Sequence, residues 1–273
     1  MLEVSHHGPL TRLRLARTLL GRPLREVSAY LLDGVLIDSG PPAAQRELLA
    51  WLERSGEASR LRAVIHTHHH EDHVGASPAL ARKLGVPIYA PAPTVAILGR
   101  PRRVPLYRWL VWGGPGVVSA EVLPERLEVG ELRLRVFPSP GHAFDHVCLF
   151  EERLGWLFAG DLYVHPRVKY LRRIEDPWQH LASIDRALSY PFTRLVCAHA
   201  GVVEEARQAL EAKRAYWRGL ALEARSLAGK GLRARAITRR LLGAEGLFTY
   251  LSGGDFSKAN LIKKLLAPPP TLG

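Results

Sequence analysis

Sulfur is scarce in this chain: two cysteines and one methionine in 273 residues. That count leaves no room for the disulfide framework of a small secreted scaffold. Cys148 and Cys197 each lie inside an apolar run that reads as a strand, where a buried core thiol is the expected role. Long hydrophobic runs are missing too, since no stretch approaches the roughly eighteen uncharged apolar residues that a membrane span needs. The first fourteen residues carry basic side chains but no extended apolar segment or small-residue cleavage site, so no signal peptide is expected. These absences point to a cytoplasmic protein without a membrane partner. Acidic residues are also in deficit, 26 against 38 Lys and Arg, giving a net charge of +12. Anionic partners are favoured by that sign: phosphate esters, carboxylates, coenzyme thioesters or nucleic acid.

What is present is an ordinary globular composition, 47% hydrophobic and 23% charged, with length enough for one large α/β domain and a small appendage. After an irregular start, Val27 to Leu32 and Val35 to Ile37 flank Asp33-Gly34, a two-residue hairpin signal. Behind Pro41-Pro42, residues Ala44, Leu48, Trp51 and Leu52 recur at helical spacing. Leu61 to Ile65 reads as a buried strand, Ser77 to Leu84 as a helix, Pro87 to Tyr89 as a strand and Pro91 to Leu98 as a short helix. Between Gly99 and Gly116 the pattern gives way to prolines, arginines and aromatics, as in a lid or pocket-forming loop. Strands resume at 132–137, 147–150, 156–159 and 195–198, with a helix over 178–188. A long helix over 203–228 opens a helical tail with short helices at 234–242 and 258–266, the latter capped by Ser257, and Pro268-Pro269-Pro270 ends it. The composition shift near residue 203 divides the chain into a catalytic domain, 1–202, and a helical extension, 203–273.

The chemistry is concentrated in Ile65-His66-Thr67-His68-His69-His70-Glu71-Asp72-His73. In an extended chain leaving a strand, His68, His70 and Asp72 share a face, and His73 approaches as the chain turns at Gly75. His69 and Glu71 then face away, and His66, though on the ligand face, belongs to the apolar strand and suits a supporting role. Imidazole and carboxylate are the ligand set of catalytic zinc and also suit iron or manganese. Three further ligand-type residues each follow a strand: His142 in Ser-Pro-Gly-His, Asp161 in Ala-Gly-Asp and His199 in Cys-Ala-His. Strand ends meet along one edge of a sheet, where α/β sites assemble. His146, four residues after His142, fits a supporting role better than a ligand's.

This order of motifs resembles the metallo-β-lactamase superfamily, particularly its glyoxalase II-like branch, across roughly Val27 to Gly201, including Leu36-Ile37-Asp38-Ser39-Gly40. The resemblance implies an α/β, four-layer αββα sandwich with a C-terminal helical extension and two divalent ions at one edge of its sheets. Zinc is the expected metal, with iron and manganese as alternatives. His68, His70 and His142 would hold the first ion, Asp72, His73 and His199 the second, and Asp161 would bridge them. The activity implied is that of a metal-dependent hydrolase using a hydroxide bridging two metal ions, with Asp72 orienting it. Tyr163 and His165 follow Asp161 and are candidate hydrogen-bond donors to a developing oxyanion.

The expected substrate is a small anionic acyl compound, a thioester or lactone, with Arg167, Lys169, Arg172 and Arg173 as a nearby basic cluster. The alternatives are a phosphodiesterase or ribonuclease, or a nucleic-acid-binding module in the basic C-terminal helices around Arg233, Arg235, Arg239, Arg240, Lys258, Lys263 and Lys264. Oligomeric state leaves no mark in the sequence.

Overall fold

In the computed structural model, which describes residues 1–268, the chain starts as a meander of β1 (Leu2–His7), β2 (Leu10–Leu19) and β3 (Arg22–Leu32). The irregular start expected before Val27 is therefore ordered strand. β2 buries one face over its middle, where Leu13 and Leu15 are buried while Arg12 and Arg14 lie on the more open side, and the first half of β3 is mostly exposed. Asp33 and Gly34 both have positive φ, 46° and 72°, the two-residue turn that sends the chain into β4 (Val35–Ile37). After a 3₁₀ turn at Pro42–Ala44 come α1 (Gln45–Arg54), β5 (Ala63–Ile65), α2 (Glu71–Val74), α3 (Ser77–Leu84), β6 (Ile88–Ala90) and α4 (Ala92–Leu98). The aromatic segment expected as a loop contains α5 (Leu106–Trp112), after which β7 (Glu121–Val122) completes a seven-stranded sheet in the order β1 to β7.

The second sheet is built from β8 (Arg126–Val129), β9 (Leu132–Pro138), β10 (Val147–Glu151) and β11 (Trp156–Gly160). The short β12 (Leu171–Arg172) and α6 (Pro177–Leu188) precede its last strands, β13 (Arg194–Cys197) and β14 (Gly201–Val203), and the order is β14-β13-β11-β10-β9-β8. Asp176 starts α6 by accepting hydrogen bonds from the amides of Trp178 and Gln179 at 2.8 and 3.1 Å, with Pro177 in the first turn.

Three apolar layers hold these parts together. Tyr30, Ile37, Ile65, Leu149, Phe158 and Val196 fill the space between the sheets. Leu48 and Leu52 of α1 and Leu80 of α3 cover the outer face of the first sheet, and Ile184 of α6 covers that of the second. The result is the four-layer αββα sandwich. Both cysteines are buried free thiols in the third layer.

The tail consists of α7 (Ala206–Gly229), α8 (Ala234–Leu242), α9 (Leu247–Leu251), β15 (Phe256–Ser257) and α10 (Lys258–Leu266). Ser257 caps α10 by accepting from the Ala259 amide at 3.0 Å. Pro269 and Pro270 lie outside the described residues. Leu210 of α7 belongs to the core of the second sheet, whereas Trp217, Ile237 and Leu261 form a fourth cluster with Leu171 and Leu181. β15 pairs antiparallel with β12, Leu171 opposite Ser257 and Arg172 opposite Phe256. The tail thus takes hold of the loop after β11. No helix among the described residues is long and apolar enough to cross a membrane.

Candidate metal centre

The extended run inferred for residues 66–73 stops at His70. Glu71–Val74 is a helical turn, fixed from outside by hydrogen bonds from the Ser39 amide to His73 O (2.6 Å) and from the Gly75 amide to Gly40 O (2.9 Å). Asp72 and His73 therefore arrive from successive helical positions rather than by strand alternation. Glu71 is buried and accepts from Arg108 Nε and Nη2 at 2.7 and 2.6 Å, a structural role. His69 points to Asp145, its Nδ1 2.8 Å from Oδ1, and His66 Nε2 lies 2.6 Å from Ser77 Oγ.

The seven expected ligands form two groups. In the first, His70 Nδ1 lies 2.8 Å from His68 Nε2 and 3.0 Å from His142 Nε2, and the latter is 3.0 Å from Asp161 Oδ2. In the second, Asp72 Oδ2 stands 3.9 Å from His73 Nε2 and 3.5 Å from His199 Nε2. Asp161 Oδ1 faces those same nitrogens at 3.5 and 3.6 Å, so its two oxygens look toward different groups.

Hydrogen bonding tests whether these residues fit metal ions. Buried His73 Nε2 and Asp161 Oδ1 have no hydrogen-bond partner, though buried polar atoms ordinarily do. The far nitrogens of four of the five rings are engaged, that of His70 (Nε2) having no partner. His73 Nδ1 is 2.7 Å from Asp38 Oδ2, His142 Nδ1 is 3.1 Å from Glu175 Oε1, His199 Nδ1 is 2.9 Å from Glu26 O, and His68 Nδ1 is 3.0 Å from Thr67 Oγ1. That arrangement fixes ring orientation and leaves the near nitrogen for an ion. A tetrahedral ion with bonds of about 2.1 Å spaces its ligands by about 3.4 Å, close to the separations here. The donor set fits.

Electrostatics divide the rings into two kinds. Burial pushes the His68 and His70 imidazoles well below their ordinary range, with nearby positive charge from His73 and Arg172 respectively adding to it. Such rings are neutral, the form that ligates. Burial opposes the charged form of Asp72, but His73 and His199 hold it down to about 2. Burial also acts against His73 and His199, but the surrounding carboxylates outweigh it, raising His73 well above its ordinary range and His199 to about 10, so both rings hold a proton in the absence of an ion and would release it on ligation. Asp38, Asp72 and Asp161 are all buried here, negative charge that bound divalent cations would neutralise.

Two candidates are not brought in. Tyr163 is buried in the apolar layer under the second sheet, and His165 is exposed, its Nδ1 accepting from the Arg167 amide at 3.0 Å. The chain turns sharply after Leu162, which carries both away from the ligands. The expected basic cluster is also dispersed. Arg173 Nη2 donates to Gly253 O at 2.6 Å, and of the four only Arg172 borders the site. Its Nη2 is 2.8 Å from His142 Nε2, and its Nε donates to Glu175 Oε1 at 2.8 Å. Glu175 and Asp145 carry no signal in the sequence, because their contacts join segments far apart in the chain. His146 holds the turn at Asp161, its Nε2 accepting from that amide at 3.0 Å.

Above the ligands lies a cavity of about 590 Å³, bordered by α5, the loop after Asp161, and the tail. Lys213 and Trp217 of α7 reach it, and so do Phe248 and Phe256.

Two sheets meeting at a His/Asp cluster of this kind define a class of metal-dependent hydrolase, and residues 22–215 match the Metallo-beta-lactamase superfamily: the chain belongs to that superfamily. Within it the similarity runs to the glyoxalase II-like branch. The chain is 34% identical over 166 residues to a hydroxyacylglutathione hydrolase of Thiobacillus denitrificans, covering 60% of this chain and 56% of that protein. A hydroxyacylglutathione hydrolase of a Bradyrhizobium species is 32% identical over 176 residues, 63% of this chain and 58% of its own. The chain thus spans little more than half the length of these relatives. Among solved structures, a beta-lactamase domain protein from Burkholderia ambifaria superposes with a TM-score of 0.76 at 19% identity, covering 97% of this chain and 87% of its own. A metallo-beta-lactamase family protein from Thermus thermophilus gives 0.64 at 22% identity, covering 94% and 91%. These likenesses are of fold.

Proposed function

We propose that the chain hydrolyses an acyl bond, a thioester before a lactone, at a site where His68, His70, His142 and Asp161 hold one divalent ion and Asp161, Asp72, His73 and His199 a second. The observation that carries this reading is the pair of converging ligand groups joined by the two oxygens of Asp161, at the floor of a cavity bordered by α5 and the tail. When bound, the two ions supply a water of lowered pKa and Lewis-acid polarisation of the substrate oxygen. Asp72 borders that cavity, where its carboxylate can orient the water and take up its proton. Arg172, anchored by Glu175, presents Nη2 beside His142 and can donate a hydrogen bond to a substrate oxygen. Zinc is the metal proposed. The relatives named hydroxyacylglutathione hydrolase support a thioester. So does the mainly apolar lining of the cavity: a nuclease needs a positively charged groove that tracks several phosphates.

The test is metal analysis of reconstituted protein, followed by kcat/KM for a thioester, RNA and bis-nitrophenyl phosphate on one preparation. About two ions per chain and preference for the thioester are expected. No bound metal in folded protein overturns the site, and a tenfold or greater preference for the phosphodiester, about 1.4 kcal/mol of transition-state binding, overturns the acyl reading.

A further inference from the structure

The cavity over the ligands is walled mainly by carbon, and besides Pro23 and Leu24 of β3 three further segments supply the wall. Val111 and Trp112 come from α5, Val164 and Val168 from the loop after Asp161, and Phe248 and Phe256 from the tail. Rings tie these segments to one another. Tyr170 stacks on Phe256 with centroids 5.2 Å apart and planes 5° from parallel, and Phe248 meets Phe256 edge-on at 5.6 Å. Tyr107 of α5 meets Phe248 at 5.7 Å in the same way. Contacts of this geometry make a continuous, fairly rigid apolar surface.

Charge in the cavity is present but engaged. Arg108 is bound by Glu71 through two hydrogen bonds, Arg172 by Glu175, and the Arg25 guanidinium lies over the Phe248 ring at 5.5 Å. Lys213 Nζ donates to Leu162 O at 2.8 Å and sits 4.9 Å from the Trp217 ring. Glu71 and Glu175 thus engage two of the bordering cations, and Asp72 and Asp161 belong to the ion site, whereas the wall formed by Val111, Val164, Val168 and Phe256 carries no charge of its own.

Resting on the acyl-hydrolase reading, we infer that this chamber receives an uncharged, apolar acyl arm of medium length, with the scissile carbonyl toward the His/Asp cluster. The cavity volume is within the range of sites that enclose small organic ligands, and such sites are mostly apolar with a few placed polar groups. Each methylene transferred from water to such a wall is worth about fourfold in binding. A short polar acyl group, or one bearing its own charge, leaves the aromatic wall facing water and gains none of this.

The test uses full-length, metal-loaded protein and N-acetylcysteamine thioesters of acetate, butyrate, hexanoate and octanoate, in which the leaving group is constant and uncharged. kcat/KM is expected to rise at least about a hundredfold from acetyl to octanoyl, the effect of three to four well-buried methylenes. Octanoate should bind more tightly than acetate in calorimetry, a readout independent of turnover. Phe248→Ser and, separately, Val168→Asp should each lower the octanoyl value at least tenfold more than the acetyl value. Val168 holds Trp217 through its backbone carbonyl, which the substitution retains. A flat or falling series with measurable turnover overturns the acyl-arm inference and leaves the hydrolase reading standing, as would equal losses for both esters in both variants. If no thioester is cleaved but a phosphodiester is, the acyl reading of the site fails, and equal binding of octanoate and acetate then removes the chamber's role as well.

Discussion

Asp38 holds a left-handed backbone conformation, φ 57°, which side-chain-bearing residues rarely adopt and which persists only where surrounding contacts enforce it. Those contacts are local to the site. Its carboxylate accepts from the Thr67 amide and Oγ1, both at 2.9 Å, and lies 2.7 Å from His73 Nδ1. Burial works against the charged form, but His73 and His66 hold the carboxylate far below its ordinary range. Asp38 is thus a positioning residue for His73 that does not itself face the ligand cluster. Asp38→Asn keeps the size and removes the charge that fixes the imidazole. The expected loss is about 10- to 100-fold in affinity for the second ion, read by chelator competition, with a smaller effect on the first. Equal weakening of both ions would mean that Asp38 supports the fold of the whole edge instead.

Among the elements, those with a strong period of their own were legible in the sequence. Ser77 to Leu84, Ala234 to Leu242 and Lys258 to Leu266 appear with the bounds their apolar spacing gives. Elements defined by a partner were not. β12 and β15 are two residues each and exist only as a pair across the tail, and α2 is a turn held by the Ser39 and Gly40 segment. The ligands were legible as residue types at strand ends, whereas the groups that orient them come from distant parts of the chain. Lys213 is such a case, since nothing in the period of α7 marks a lysine that the fold buries. Burial brings its ammonium down to about 7, against the pull of Glu175, Asp161 and Cys197, and it faces His180, a ring kept neutral by burial and by Lys213 itself. An unfolded lysine keeps its proton to about 10.5, so between about 7 and 10.5 the unfolded chain binds more protons and rising pH favours the fold. Lys213→Met removes that linkage. The melting temperature of the variant minus that of the native chain should be more positive at pH 7 than at pH 9.5. A difference that does not change with pH would show that Lys213 carries the same charge folded and unfolded.

For the whole molecule the net charge of +12 exceeds what the four cations bordering the cavity, Arg25, Arg108, Arg172 and Lys213, account for. The excess lies elsewhere, and part of it is Arg233, Arg235, Arg239 and Arg240, all exposed on or beside α8 and none bordering the cavity. A field of that kind acts on approach rather than on the bound state, raising the local concentration of anions near the surface and falling away as salt shortens its reach. The screening length drops from about 10 Å at 0.1 M to about 3 Å at 1 M ionic strength. Two thioesters of the same octanoyl arm, one on a coenzyme carrier and one on uncharged N-acetylcysteamine, separate the effects. Raising salt from about 0.05 to 0.5 M should lower kcat/KM for the coenzyme ester several-fold through KM, with kcat constant, and leave the uncharged ester within about twofold, because long-range steering affects association. If kcat for the coenzyme ester falls as well, the carrier's phosphates are making ionic contacts in the transition state, and charge recognition inside the site must replace attraction from outside it. If neither ester responds, the positive surface is irrelevant to substrate capture, and its charge belongs to some other partner of the chain.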